Sequence, residues 1–248
     1  MSGHSKWSTI KRKKGAADAK RGQLFTKLAR EITVAARSGI PDPEANVRLR
    51  LAMEKARSEN MPKENIDRAI QRAAGGASGE NYDEVTYEGY GPGGTALLIQ
   101  TMTDNRNRTV SEIRAALTRA GGTLGESGSV GWMFDHVGLI TIPVSDDDSE
   151  EVALVAIDAG ATDVQVEDGV IEVYTESQDL HRVQQALSGS EYPVESSELT
   201  MKPKTLVSPE ADIAVKTIRL LERLEDLDDV QQVFSNLDIT DEVLAVVG

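Results

Sequence analysis

The chain has 248 residues, no cysteine and a formal net charge of −14 at pH 7. This length allows one large domain or two to three small ones, and the lack of cysteine excludes disulfides, thiolate nucleophiles and cysteine-ligated zinc. No run of 18 apolar residues is present, and the charged N-terminus has no apolar segment behind it. We therefore expect a soluble, cytoplasmic protein with no membrane span and no signal peptide.

The negative net charge conceals a division between two parts of the chain. Residues 1–76 contain 17 Lys and Arg against 8 Asp and Glu, a net charge of +9. The remaining residues contain 10 against 33, a net charge of −23. Such asymmetry is typical of a nucleic-acid-binding segment attached to an acidic body, although a basic stretch also occurs by chance in some acidic proteins.

The basic part is predicted to form three helices behind a basic arm. The arm, residues 1–17, has too few apolar side chains to fold alone. Apolar residues recur at helical spacing in residues 18–38. Asp42-Pro43 has the form of a cap followed by a first-turn proline, which predicts a second helix to about residue 60. A third helix is predicted between the break at Met61-Pro62 and the glycine pair at 75–76.

Strands are predicted after a small polar linker at residues 75–81. A helix at residues 109–120 is predicted from a capping box formed by Thr109 and Glu112 and from the glycine pair that follows it. The predicted strands of this part cover residues 85–90, 95–102 and 130–134.

Residues 139–201 are predicted to have the order β-α-β-β-α-β, which is ferredoxin-like. A later helix at 211–227 and strand at 230–236 have no partner nearby in sequence, so we expect them to complete the preceding sheet. The predicted fold is α+β, with an N-terminal three-helix domain followed by two α/β domains, the third ferredoxin-like and inserted into the second. The predicted domains are residues 1–76, 82–136 plus 204–248, and 138–203.

The first predicted helix has cations on one side. Successive helical residues rotate by about 100°, so Lys20, Lys27, Arg30 and Arg37 share an arc opposite the apolar residues. Cationic side chains bind phosphates by releasing counterions, and a tryptophan beside them can stack on an unpaired base. The alternatives are a solvated helix face and a Trp7 that packs into the helical core. The candidate nucleic-acid-binding residues here are Lys6, Trp7, Lys11, Arg12, Lys13, Lys14, Lys20, Arg21, Lys27, Arg30 and Arg37.

Arg106 and Arg108 form a second candidate site, directly before the predicted helix at residue 109. A helix start exposes unpaired N–H groups and a partial positive charge, so two arginines there would bind an anion. An ordinary polar turn is the alternative.

Known catalytic and cofactor motifs are not matched. The segment GYGPGG fits G-x-G-x-x-G, but a strand follows it where a dinucleotide site needs a helix. The three histidines are widely separated, and no G-x-S-x-G is present. We therefore expect no catalytic residues, no metal site and no cofactor. The ferredoxin-like part has an acidic hairpin and no aromatic-rich strand, so we interpret it as structural or protein-binding.

Six segments of the chain resemble the YebC/PmpR family. They are GHSKW, DAKRG, NMPKENIDRAI, YEGYGPGG, TDNRNRT and GSVGWMF. The resemblance implies a helical first domain and two α/β domains, the third inserted into the second, and it strengthens the case for Arg106 and Arg108. It implies cytoplasmic, DNA-binding transcriptional regulation, whereas a mitochondrial relative and some bacterial members act in translation at the ribosome, including at proline-rich stretches. It implies no catalytic residues.

Three hypotheses of function follow. The first is a DNA-binding transcriptional regulator, and the second is a ribosome-associated translation factor that binds ribosomal RNA and assists synthesis of proline-rich stretches. The third is an enzyme with a site in the cleft between domains. The sequence favours the first two, with a possible protein partner on the acidic domains and no membrane partner.

Overall fold

The computed structural model describes residues 18–74, 81–144, 149–167, 169–188 and 193–247. It forms two compact units, one made of Asp135–Lys202 and the other of the chain on either side of it, up to Phe134 and from Pro203. The predicted basic arm, with Lys6, Trp7 and the cations at 11–14, lies outside the described residues.

Three helices open the described chain: α1 (Asp18–Arg37), α2 (Val47–Ser58) and α3 (Lys63–Ala74). They pack around a core of aliphatic and alanine side chains, which includes Leu28, Ile32, Leu49, Met53 and Ile66. These residues lie at the helical spacing that the sequence displays, so burial of one face of each helix accounts for this part of the fold.

Helix α2 begins later than its predicted start at Asp42-Pro43. The side chain of Asn46 caps it by accepting a hydrogen bond from the Leu49 amide at 3.0 Å. Asp42 instead forms a turn, in which its carboxylate accepts from the Glu44 amide at 3.0 Å. The predicted cap was wrong because Asp42 satisfies local turn donors rather than those of the helix.

From residue 81 onward the chain alternates between strands and helices. In chain order these elements are β1 (Asp83–Tyr90), β2 (Ala96–Thr103), α4 (Arg106–Ala120), β3 (Thr123–Leu124), β4 (Phe134–Pro143), α5 (Ser149–Asp158), β5 (Asp163–Glu167), β6 (Val170–Glu176), α6 (Leu180–Ser188), β7 (Ser196–Pro203), α7 (Ala211–Glu225), β8 (Val230–Ser235) and α8 (Asp241–Val247).

The first sheet has the strand order β3-β1-β2-β8. Strand β8 pairs with β2 in antiparallel register from Leu97 with Ser235 onward, so the last strand of the chain returns to the first sheet. Helices α4 and α7 pack against each other, and they share a core with the sheet that includes Ile99, Ile113 and Ile218. The late helix and strand therefore complete the earlier sheet, as the sequence predicts.

One predicted helix of this unit begins earlier than expected, and one predicted strand was wrong. Helix α4 begins at Arg106 rather than residue 109, because Asn105 is its cap and accepts from the Arg108 amide at 3.1 Å. The strand predicted at 130–134 is a 3₁₀ turn, Gly131–Met133, followed by β4. Backbone amides there donate to the Glu88 carboxylate and are not available for strand pairing. The short β3 and the terminal α8 were not predicted.

The other unit has the strand order β5-β6-β4-β7, which with its β-α-β-β-α-β sequence is ferredoxin-like. Buried aliphatic residues oppose each other across its central strands, with Ile140 paired to Val173 and Ile142 to Ile171. Gly169 has a φ of +76° in the turn between β5 and β6, a conformation that favours glycine. The predicted α+β fold class is confirmed.

Candidate nucleic-acid interface

The side of α1 opposite the helical core packs against strands and loops of the same unit. The Arg30 side chain is only 11% exposed. Its guanidinium donates to the Met102 and Asp228 carbonyls at 2.9 Å and lies 4.7 Å from the centre of the Tyr82 ring. The prediction that Arg30 belongs to a solvent-facing cationic stripe is therefore wrong.

Two other cations of the predicted stripe, Lys27 and Arg37, are also partly covered. The Lys27 ammonium is half-buried and donates to the Glu225 carbonyl at 2.5 Å. Arg37 is also half-buried and donates to the Asn81 side chain at 3.3 Å. Arg21 is exposed, and the Lys20 side chain lies outside the described residues. The angular spacing of residues on one helix predicts which cations share a side of that helix. It does not predict that another part of the chain covers this side.

A buried carboxylate, Asp229, explains why α1 is held in this position. Its side chain is 3% exposed and lies 3.4 Å from the Arg30 guanidinium. It also accepts from Arg108 at 2.7 Å and from the hydroxyls of Thr103 and Thr109 at 3.1 and 2.8 Å. A buried charge is tolerated when it is paired and hydrogen-bonded, and these donors come from α1, β2 and α4.

At the predicted anion site at the start of α4, both arginines are paired with carboxylates of the protein. Arg106 pairs with Asp83 at 2.7 Å, and Arg108 pairs with Asp104 and Asp229, also at 2.7 Å. Hydrogen bonds to Asp229 and Asp104 raise the pKa of Arg108, and the Arg108 hydrogen bond lowers the pKa of Asp104. Both arginine side chains are partly exposed, but a phosphate would have to compete with these acids.

Four other cations of the helical part are exposed. Arg57 lies in the last turn of α2, Lys63 begins α3, and Arg68 and Arg72 follow one turn apart on α3. Within the described part of the chain, none of the four has an ion pair. These four residues were not predicted from the sequence, although the i, i+4 spacing of Arg68 and Arg72, on the opposite side of α3 from Ile66, was a usable signal.

The described residues contain no group of three or more His, Asp or Glu side chains that could hold a metal ion. In the same part of the chain, no helix is both long and apolar enough to cross a bilayer.

The chain matches two family models that together cover most of its length. Residues 5–76 match the model described as TACO1/YebC protein N-terminal domain, and residues 82–237 match that of the TACO1/YebC second and third domain. The chain belongs to the TACO1/YebC family.

Relatives of this TACO1/YebC protein agree over nearly the full length. A protein of Roseiflexus castenholzii is 57% identical over 248 residues, which are 98% of this chain and 97% of the relative. A protein of Geobacter sp. strain M21 is 54% identical over 242 residues, which are 98% of each. Both are named "Probable transcriptional regulatory protein".

A solved structure also matches the TACO1/YebC chain. It is the crystal structure of a conserved hypothetical protein from Aquifex aeolicus, with 48% sequence identity and a TM-score of 0.82. The match covers 92% of this chain and 94% of the Aquifex chain.

Proposed function

We propose that this TACO1/YebC protein is a cytoplasmic, non-catalytic regulator of gene expression that binds nucleic acid through its N-terminal helical part. The observation that carries the proposal is the charge division, +9 in residues 1–76 against −23 in the remainder. The names of its relatives support a role in transcriptional regulation, and DNA is the nucleic acid that we propose for this role.

The proposed contact surface combines the basic arm with the exposed cations of the helical part. Such residues bind the regularly spaced phosphates of a nucleic acid and gain affinity from released counterions. Arg30 and Lys27 are left out of this surface because both side chains are partly buried and donate to backbone carbonyls of the same unit. The proposed phosphate-binding residues are Lys6, Lys11, Arg12, Lys13, Lys14, Arg21, Arg57, Lys63, Arg68 and Arg72.

The ferredoxin-like unit has the opposite electrostatic character. Residues 135–202 contain 16 Asp and Glu against two basic residues, Arg182 and Lys202, a net charge of −14. Phosphates would be repelled from such a surface. We propose that this unit stays clear of nucleic acid and is the part of the molecule available to a protein partner with a basic surface.

A salt titration of nucleic-acid binding tests the helical surface. The double substitution Arg68→Ala/Arg72→Ala is expected to weaken binding of duplex DNA and to reduce the slope of log K against log salt, by up to about 0.9 for each lost contact. Fluorescence anisotropy of a labelled duplex, with salt varied between about 50 and 200 mM, gives both quantities.

The matched control is Arg114→Ala/Arg119→Ala, which removes the same charge from exposed positions on α4. This variant is expected to keep the parent slope. Equal loss in both variants would assign the effect to net charge alone, and an unchanged slope for Arg68→Ala/Arg72→Ala would remove these residues from the interface. No binding of the parent chain to DNA or RNA at low salt would overturn the proposed function.

Crosslinking in cells, followed by sequencing of bound DNA and RNA, separates transcription from translation. Enrichment at promoters is the result expected for a transcriptional regulator. Enrichment of large-subunit ribosomal RNA, without promoters, would instead assign the same basic surface to the ribosome.

A further inference from the structure

Trp132 is a large apolar side chain that the protein leaves in solvent. It lies in the 3₁₀ turn Gly131–Met133 between β3 and β4, and 66% of its surface is exposed. Tryptophan gives its largest stabilising contribution when buried, so this exposure is not explained by the core of the protein.

The indole ring is held in position by a hydrogen bond. Its Nε1–H donates to the Ser129 carbonyl at 3.1 Å, and the Tyr90 hydroxyl donates to the same oxygen at 3.1 Å. The polar edge of the ring is therefore used within the loop. What the ring offers to a partner is its flat faces.

The loop that contains Ser129 is itself anchored by Glu88, whose side chain is buried. The Glu88 carboxylate accepts hydrogen bonds from the amides of Gly128, Val130 and Gly131 at 2.7, 2.6 and 2.8 Å. Burial opposes the charged form, but the three amides together hold the pKa of Glu88 below its usual value. Trp132 is thus presented on a fixed support rather than on a free loop.

The surroundings of Trp132 favour a single stacked ring over a protein interface. The loop beside it is made of serine and glycine, Ser127 to Ser129 and Gly131, which supply little apolar area. The backbone of a lysine also meets this turn, because the Lys204 amide donates to the Met133 carbonyl at 2.9 Å, and Lys204 is an exposed residue. An aromatic face beside a cation is the combination with which proteins bind single-stranded nucleic acid.

We propose that Trp132 is a stacking platform for an unpaired nucleobase. This inference rests on the proposed nucleic-acid-binding function and extends it to the second domain of the chain. Because the indole N–H is already used, recognition is by stacking and tolerates different bases. Single-stranded RNA and single-stranded DNA share the required chemistry, whereas a fully paired duplex lacks an accessible base face.

Indole fluorescence tests the proposal directly. The chain has two tryptophans, so Trp7→Phe leaves Trp132 as the sole indole and keeps an aromatic ring at position 7. Titration with oligouridine, oligodeoxythymidine and a duplex is expected to quench Trp132 emission with both single strands and much less with the duplex. Anisotropy of labelled oligonucleotides measures binding independently of the indole.

Substitution at position 132 provides the second arm of the test. Trp132→Ala is expected to weaken single-strand binding by about 5- to 150-fold, the range seen when one stacking aromatic is removed, and to leave duplex affinity unchanged. Trp132→Phe is expected to recover most of the loss. Unchanged duplex affinity also serves as the control for correct folding.

The outcomes separate this inference from the proposed function. Binding by anisotropy with unaltered Trp132 emission and parent affinity in Trp132→Ala would overturn the platform and leave nucleic-acid binding intact. That result is also the one expected if Trp132 contacts a protein instead. Absence of binding to every oligonucleotide would overturn the proposed function itself.

Discussion

At the scale of single residues, the buried carboxylate of Glu88 holds an irregular part of the chain in place. Glu88 accepts three backbone amides of the loop before β4. Unsatisfied buried amides are costly, so this side chain replaces the strand pairing that the loop lacks. A carboxylate suits the position because it has two acceptor oxygens and no donor.

Glu88→Gln is expected to lower the free energy of unfolding at pH 7 by about 1–3 kcal/mol. The glutamine side chain replaces one acceptor oxygen with an NH₂ group, which is a donor and cannot accept from the backbone N–H groups. The pKa of Glu88 is lowered in the folded state. The ionised carboxylate therefore stabilises the fold fully at a pH above the pKa that Glu88 has in the unfolded chain, about 4.3. This contribution is lost as the pH falls through the pKa of Glu88 in the folded chain.

Urea denaturation between about pH 7 and pH 3, a window that spans the unfolded pKa, measures this difference. The gap in stability between the parent and Glu88→Gln should narrow on acidification. A gap that is constant with pH would show that the charge of Glu88 does not contribute.

At the scale of elements, Asp229 joins parts of the chain that are far apart in sequence. It lies just before β8 and binds Arg30 of α1 and Arg108 of α4. An exposed ion pair, Arg48 with Glu84 at 2.5 Å, also joins a helix to the sheet, in this case α2 to β1. Exposed pairs contribute little, so the buried carboxylate is the more important contact.

Asp229→Ala is expected to lower the free energy of unfolding by about 3–5 kcal/mol, because it leaves the buried Arg30 guanidinium without its counter-charge. Asp228→Ala is the control: it removes an exposed carboxylate one residue away and should cost less than about 0.5 kcal/mol. Equal losses in the two variants, measured by urea denaturation, would contradict the role given to Asp229.

At the scale of the whole molecule, charge is distributed by unit. The ferredoxin-like unit, residues 135–202, has a net charge of −14, which equals that of the entire chain. The remaining residues together therefore have a net charge of zero. Within that rest, the basic excess is confined to residues 1–76. Under the proposed function, a field of this kind would attract nucleic acid to the basic residues and repel it from the acidic ferredoxin-like unit.

Neutralising the exposed acids of α5 with Glu150→Gln, Glu151→Gln and Asp158→Asn is expected to raise the affinity for nucleic acid a few-fold at low salt. The increase should disappear near 1 M salt, where the screening length falls to about 3 Å. Charge-preserving exchanges, Glu150→Asp, Glu151→Asp and Asp158→Glu, are the control in the same anisotropy assay. An increase that persists at high salt would argue against electrostatic exclusion.

The sequence by itself determined most of the helices and strands and the element order of the ferredoxin-like unit, because apolar periodicity records which face of each element is buried. It also determined the charge division on which the proposed function depends. Errors fell at Asp42, Thr109 and residues 130–134, where side-chain hydrogen bonds compete with local propensity. Asp42 and Asn105 bind amides two or three residues away, where several side chains compete for the same donors. Glu88 binds amides about 40 residues away, which a short window of sequence cannot reveal.

Only the tertiary structure decided which cations remain in solvent. Arg30 and Arg68 are the same residue type on neighbouring helices, yet Arg30 is covered by residues about 70 and 200 positions away in sequence, whereas Arg68 is exposed. The loop that carries Trp132 is likewise anchored by a distant residue, Glu88 of β1. Burial is set by the packing of distant segments, so it follows from the fold and not from the local pattern.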